Sequence, residues 1–162
     1  MAAITAIYAH HVRHGLASFE EVPPDVEEMT RRFDDVRARR MPYFVAVEDE
    51  ALLGYAYASP YRLRSAYRYT VEDSVYLAPD AFRKGIGRRL LTGLIETCAA
   101  AGMRQMIAVI GDSGNDASVG LHSACGFRMT GTLQSVGFKF GRWVDGVIMQ
   151  RTLGEGDHTL PA

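Results

Sequence analysis

One stretch constrains the fold of this chain more than any other: VYLAPDAFRKGIGRRLLTGLIETC, from Val75 to Cys98. An apolar strand stops, a proline turn and two glycines follow, and an amphipathic helical pattern begins. Gly85 and Gly87 carry no Cβ, so a ligand can approach the backbone closely there. The first turn of the helix behind them has N–H groups without intrahelical partners and carries the positive end of the helix dipole, which suits an anion. Arg83, Lys84, Arg88 and Arg89 crowd the same turn, so phosphate or pyrophosphate fits better than carboxylate. A plain strand-to-helix loop with solvated basic residues is the other reading of so short a motif. The dinucleotide fingerprint is not met, because Leu90 stands where a third glycine is needed. No G-x-x-x-x-G-K-[ST] run occurs in the chain, which excludes a P-loop.

A chain of 162 residues is one domain's worth and buries a core without metals or disulfides. Residues 1–153 are expected to form that domain, and the tail 154–162 to fray. With 18 Lys+Arg against 19 Asp+Glu, the net charge of -1 gives no global attraction to nucleic acid or to a membrane, so any basic site is local. Cys98 and Cys125 lie in no C-x-x-C and read as buried free thiols of a cytoplasmic protein. His10, His11 and His14 cluster, but neighbouring helix positions point different ways, and no metal is expected. No run approaches membrane-spanning length, and no signal peptide is evident.

Apolar residues at Ile4, Ile7, Tyr8, Val12 and Leu16 predict a first helix ending near Gly15. Val26, Met29, Phe33 and Val36 predict a second, with Asp25 as its N-cap. YFVAVEDEALLGYAYASPY reads as a β-hairpin turning at Glu48-Asp49-Glu50. TVEDSVYL is a strand with Thr70, Glu72, Ser74 and Tyr76 on one face and Val71, Asp73, Val75 and Leu77 on the other. The glycine-loop helix reaches about Ala101; QMIAVIG is a buried strand, and NDASVGLHSACGF a helix begun near Asn115 or Asp116 and closed by Gly126. The rest supplies a turn-rich segment and a last strand, Val144 to Arg151. The class is α/β or α+β, a mixed, mostly antiparallel sheet with helices on both faces.

FRKGIG within VYLAPDAFRKGIGRRLL, followed by NDASVGLHSACGF, resembles the acetyl-CoA site of the GNAT superfamily of N-acetyltransferases, whose pyrophosphate loop is [QR]-x-x-G-x-[GA]. SFEEVPP, YRLRSAYRYTVEDSVY and GFKFGRWVDGVIMQRTL extend the resemblance, over about residues 3 to 153, to the phosphinothricin and methionine-sulfoximine acetyltransferase branch. Two departures stand out. Phe82 occupies the Gln/Arg position, which removes a side chain but no backbone donor. The family opens with a short strand, whereas this chain opens in a helix; either the fold manages without that edge strand or the true start lies upstream.

The resemblance implies that backbone groups of Val75, Tyr76 and Leu77 pair with pantetheine, and that N–H groups from Arg83, Lys84, Gly85, Ile86, Gly87 and Arg88 hold the pyrophosphate. Asn115 is either a pantetheine partner or a helix N-cap. Glu72 is either the general base, acting directly or through water, or a half-exposed strand Glu. His122, where the family has a tyrosine, is the general acid or a packing histidine. The Val75 N–H would polarise the thioester oxygen. The resemblance places Leu63, Asp73 and Ser74 at the substrate; Arg62 and Arg64, two apart on an extended segment, face it or are solvated loop charge, and Phe19 is a pocket wall or a core residue. An arginine fork would pair the carboxylate of an amino acid there. Tyr67 and Trp143 are candidate walls, and Lys139 and Asp145 belong to the pocket or to a dimer contact. The implied protein is a homodimeric, acetyl-CoA-dependent N-acetyltransferase acting on a small amino-acid-like amine such as phosphinothricin, methionine sulfoximine or methionine sulfone. The alternatives are acetylation of protein N-termini, lysine or arylalkylamines, and a non-catalytic acyl-CoA sensor.

Overall fold

Asp25 begins the second helix as expected, its carboxylate accepting the Glu28 N–H at 2.8 Å, and the hairpin turns at Asp49 and Glu50, both at positive φ. Such local signals set the order of elements in the computed structural model, which describes residues 1–161. These are α1 (Ala2–His14), α2 (Val26–Ala38), β1 (Tyr43–Glu48), β2 (Ala51–Pro60), β3 (Thr70–Leu77), α3 (Ile86–Ala100), β4 (Gln105–Gly111), α4 (Asp116–Ala124), β5 (Arg128–Lys139) and β6 (Arg142–Thr152). The six strands form one sheet in the order β1-β2-β3-β4-β6-β5, antiparallel throughout except for β3 against β4. No strand precedes α1 among the described residues, and β1 is one edge of the sheet.

Strand alternation divides the core in two. Ala56 and Ala58 of β2 and Val71 of β3 face α3, whose Leu90, Leu91 and Leu94 complete the larger cluster. Tyr55 of β2 faces the other way, onto Ile4, Tyr8 and Val12 of α1 and Met29 of α2. Extra β2 residue Leu53 sits at a register shift between the pairs Val47–Leu52 and Ala46–Gly54, which is how both faces stay apolar despite the two-residue period.

Three expectations are corrected. Val26 is exposed, so the buried stripe of α2 rests on Met29 and Val36, with Phe33 partly covered. The segment read as turn-rich is β5, a 12-residue edge strand. Its glycines and Ser135, at φ 53°, are absorbed by register shifts against β6, and its exposure removes the alternation that marks a strand. The tail beyond Leu153 is tied down: the Arg104 guanidinium donates to Gly156 O, Thr159 Oγ1 and Leu160 O. Ala162, at its end, lies outside the described residues.

Candidate active site

β3 and β4 pair only from Thr70–Gln105 to Asp73–Ala108, although β3 continues to Leu77 and β4 to Gly111. The unpaired ends diverge and open a cleft of about 530 Å³ lined by residues 72–76 of β3, residues 108–111 of β4, the loop 17–20, and Asn115, Ser118 and His122. Val109, expected to be buried, is 45% exposed because it lines this opening. The Ala78 N–H donates to Leu53 O at 2.9 Å. By ladder alternation Tyr76 therefore bonds to β2, while the backbone groups of Val75 and Leu77 turn to the gap. One is already engaged: His11 Nε2 donates to Leu77 O at 2.8 Å.

At the far end of β3 lies the glycine loop. Gly85 is the N-cap of α3 in the left-handed conformation, φ 77°, preceded by Arg83 at φ 61°. Arg83, Lys84, Gly85 and Arg88 are exposed, Ile86 and Gly87 are buried, and the first turn of α3 contains no acid. Gly87 is a close approach: a Cβ there would lie 3.3 Å from Leu121 and 3.4 Å from Leu77. The loop thus offers free helical N–H groups and local cations with no competing carboxylate, which fits a pyrophosphate. Phe82 is 48% exposed beside it.

Glu72, Ser74 and Tyr76 point to the α1/α2 face. Glu72 is half-buried, and burial raises its pKa, the Asp73 charge adding to the rise and Arg62 opposing it. A carboxylate in that state is a better proton acceptor than an exposed one. Phe19 forms the wall opposite. Its ring lies against Gly111 and Gly137, where an added Cβ would come within 3.1 Å and 2.7 Å of it.

Asp73 points to the other face. Its Oδ2 accepts from His122 Nε2 at 2.9 Å, with both side chains buried, and His122 Nδ1 donates to Ser118 O at 2.7 Å. Two acceptors around one imidazole call for two N–H groups, hence an imidazolium. Burial lowers the His122 pKa, and the hydrogen bond and charge of Asp73, with the Ser118 carbonyl, more than reverse it to a net rise. Asp73 Oδ1 is buried without a partner.

The other sequence candidates fall in different places. Asn115 caps α4, its Oδ1 accepting the Ser118 N–H at 3.2 Å, and it also lines the cleft. Arg62, Leu63 and Arg64 are exposed and outside the cleft lining; the Arg62 guanidinium lies 4.9 Å over the Tyr61 ring. Tyr67 and Trp143 are exposed and also outside it. Lys139 is buried and donates to Gly15 O at 3.0 Å and Ser18 O at 2.7 Å, which pins the loop carrying Phe19. Asp145 accepts from Ser113 Oγ and the Ser135 N–H, both at 2.8 Å, and so ties the β4–α4 turn to β5.

Sequence reasoning missed Glu20. It lines the cleft and is held by Arg32 at 2.7 Å and the Tyr8 hydroxyl at 2.8 Å. Burial opposes its ionisation, but Arg32 and Tyr8 bring the pKa below the ordinary value. A Glu twelve residues from its arginine carries no local signal. Among the described residues no group of three or more His, Cys, Asp or Glu is placed to hold a metal, and no helix is long and apolar enough to cross a membrane.

A split parallel strand pair with a glycine-capped helix at one end and a carboxylate-bearing cleft at the other defines an acyl-group transferase. Residues 1–148 match the acetyltransferase (GNAT) domain family, and the chain belongs to that family: it is an N-acetyltransferase that uses acetyl-CoA. It is 64% identical over 159 residues to the phosphinothricin N-acetyltransferase of Alcaligenes faecalis, covering 98% of this chain and 81% of that one. It is 39% identical to the L-methionine sulfoximine/L-methionine sulfone acetyltransferase of Salmonella typhimurium, covering 99% and 92%. The crystal structure of a Sinorhizobium meliloti phosphinothricin acetyltransferase in complex with AcCoA superposes with a TM-score of 0.96 at 49% identity, over 99% of this chain and 86% of that one.

Proposed function

We propose that the enzyme acetylates the α-amine of a small, polar amino-acid analogue of the phosphinothricin, methionine sulfoximine or methionine sulfone type. The observation that carries this reading is the position of Glu72. A half-buried carboxylate with a raised pKa stands at the head of a walled cleft, on the strand whose far end meets the anion-binding loop.

Acetyl-CoA supplies an activated acetyl thioester when bound. The N–H groups at Ile86, Gly87 and Arg88 hold its pyrophosphate, with Arg83 and Lys84 adding charge, and Val75 and Leu77 present strand groups to its pantetheine arm. Asn115 adds its second amide hydrogen. Glu72 takes the ammonium proton, directly or through water, so that the nitrogen can attack. The Val75 N–H is the donor toward the thioester oxygen. His122, whose two N–H groups are held by Asp73 and the Ser118 carbonyl, would have to release one of those bonds to protonate the leaving thiolate. Phe19 and Ser74 shape the acceptor side, and Arg62, whose charge reaches Glu72, pairs the substrate carboxylate with Arg64 beside it.

A homodimer suits the exposed apolar strip along β5 and its turn, Leu133, Val136, Phe138, Phe140 and Trp143, which a second copy would cover. The buried free Cys98 and Cys125 fit a reducing cytoplasm. Removal of the ammonium from a glutamate-like inhibitor makes resistance the natural role.

Thiol release with mass detection, over amino-acid analogues, arylalkylamines and peptides, tests the reading. Turnover on a methionine sulfone-type substrate, weakened in Arg62→Ala through KM, is expected. Turnover confined to amines without a carboxylate would leave the acetyl-CoA site standing and overturn the substrate class.

A further inference from the structure

Beneath α2 the same face of the sheet holds a second cavity of about 260 Å³. Tyr43, Tyr55 and Tyr57 line it with their rings stacked, planes within 8° of one another, and Phe33 meets Tyr43 edge-on at 5.0 Å. Tyr55 is completely buried, and its hydroxyl has no hydrogen-bond partner. A cavity walled by the Tyr43, Tyr57 and Phe33 rings suits an aromatic ring.

This cavity adjoins the catalytic cleft. Tyr57 and Ser59 line it, while their cross-strand partners Ser74 and Glu72 line the cleft. Directly opposed residues share a face of the sheet, with Cβ atoms about 4.5–5.5 Å apart. Between the two stands one cluster. Tyr8 and Arg32 face the second cavity and Glu20 the cleft. The Tyr8 hydroxyl donates to Glu20 Oε1 at 2.8 Å and is 3.0 Å from Ser18 Oγ, and Arg32 donates to Glu20 at 2.7 and 3.3 Å. Arg32 Nε also donates to Glu28 Oε1 at 2.7 Å, which braces the guanidinium from its own helix.

Resting on the acyl-transfer reading above, we propose that the Tyr8–Glu20–Arg32 cluster is a partition that sets acceptor length. Closed, it restricts the enzyme to short polar side chains. Without it, the cleft runs on into the tyrosine slot and takes an aromatic amino acid whose ring packs against Tyr43 and Tyr57. Glu20 and Arg32 are positioning residues here; they touch neither acetyl group nor amine.

The test compares kcat/KM for methionine sulfone and L-tryptophan in wild type, Glu20→Ala, Arg32→Ala and Glu20→Gln, with L-tryptophan binding followed in parallel by NMR titration. Glu20→Ala should gain about tenfold or more on tryptophan, through KM, and bind it measurably tighter. Glu20→Gln keeps the bulk of the wall and should gain neither. The proposal falls if wild type uses both substrates equally, if no alanine variant with a cooperative melt gains tryptophan binding or turnover, or if Glu20→Gln gains as much as Glu20→Ala. Should Arg32→Ala not fold, the Glu20 pair decides. A wild type that acetylates no amine would sink the acyl-transfer reading alone, and the binding titration would still judge the partition.

Discussion

Glu72 and Asp73 are neighbours in the chain, and strand alternation sends them to opposite faces of β3. Glu72 meets the α1/α2 side of the cleft, where it is half-buried and burial raises its pKa. Asp73 meets α4, where a buried histidine holds it at 2.9 Å. The same chemical group is left open to the cleft without an ion pair among the described residues on one side and is paired with a buried imidazole on the other. The difference lies in what each carboxylate meets: Glu72 reaches the cleft with no such partner, and Asp73 reaches α4, where His122 pairs with it.

That contrast breaks most clearly at Glu72. Glu72→Gln should lower kcat by about 10²–10⁴-fold, the usual worth of a positioned general base. It should not lower stability, because the ionised carboxylate, with its raised pKa, is disfavoured in the fold at neutral pH. A thiol-release assay beside a urea melt reads both, and a large loss of stability would show that Glu72 also holds the fold. Asp73→Ala should invert the pattern, costing about 3–5 kcal/mol by stranding a buried imidazole, measurable in the same melt. A variant as stable as wild type would mean that the pair contributes nothing to the fold.

Smaller effects sharpen the comparison. Gly137→Ala places a Cβ 2.7 Å from the Phe19 ring, so overpacking of about 1–3 kcal/mol is expected, together with a raised KM for the amine and an unchanged KM for acetyl-CoA. Equal changes in both constants would detach Phe19 from the acceptor side. The mildest signature is in pH. His122 has a folded pKa above its ordinary 6.5, since Asp73 and the Ser118 carbonyl outweigh the burial that lowers it. Its contribution to stability is therefore complete below that ordinary value and is lost as pH rises through the folded one. The stability gap between wild type and His122→Gln should accordingly narrow toward alkaline pH, and a constant gap would take the proton out of the pair.

What the sequence disclosed follows the range of the forces involved. The Asp25 cap, the hairpin turn and the two faces of β3 are set within a few residues, and each was legible. β5 was not, because its two register shifts and its exposure erase the periodicity that marks a strand. Glu20 and Asp73 became interpretable only with partners 12 and 49 residues away. Lys139 anchors a loop 124 residues distant for the same reason. The start of α3 behind the glycine loop could be read because Gly85 and the helical pattern after it define that start locally.

The divergence of β3 from β4 has a thermodynamic side. The β4-facing groups of Val75 and the Leu77 N–H have no strand partner among the described residues, Leu77 O being held by His11, and acetyl-CoA is a donor that only the folded chain can bind. The donor is then a ligand of the native state alone, and at a hundredfold excess over its Kd it adds about 2.7 kcal/mol to the free energy of unfolding. Saturating acetyl-CoA should therefore raise the melting temperature of the enzyme, which a thermal melt with and without it reads.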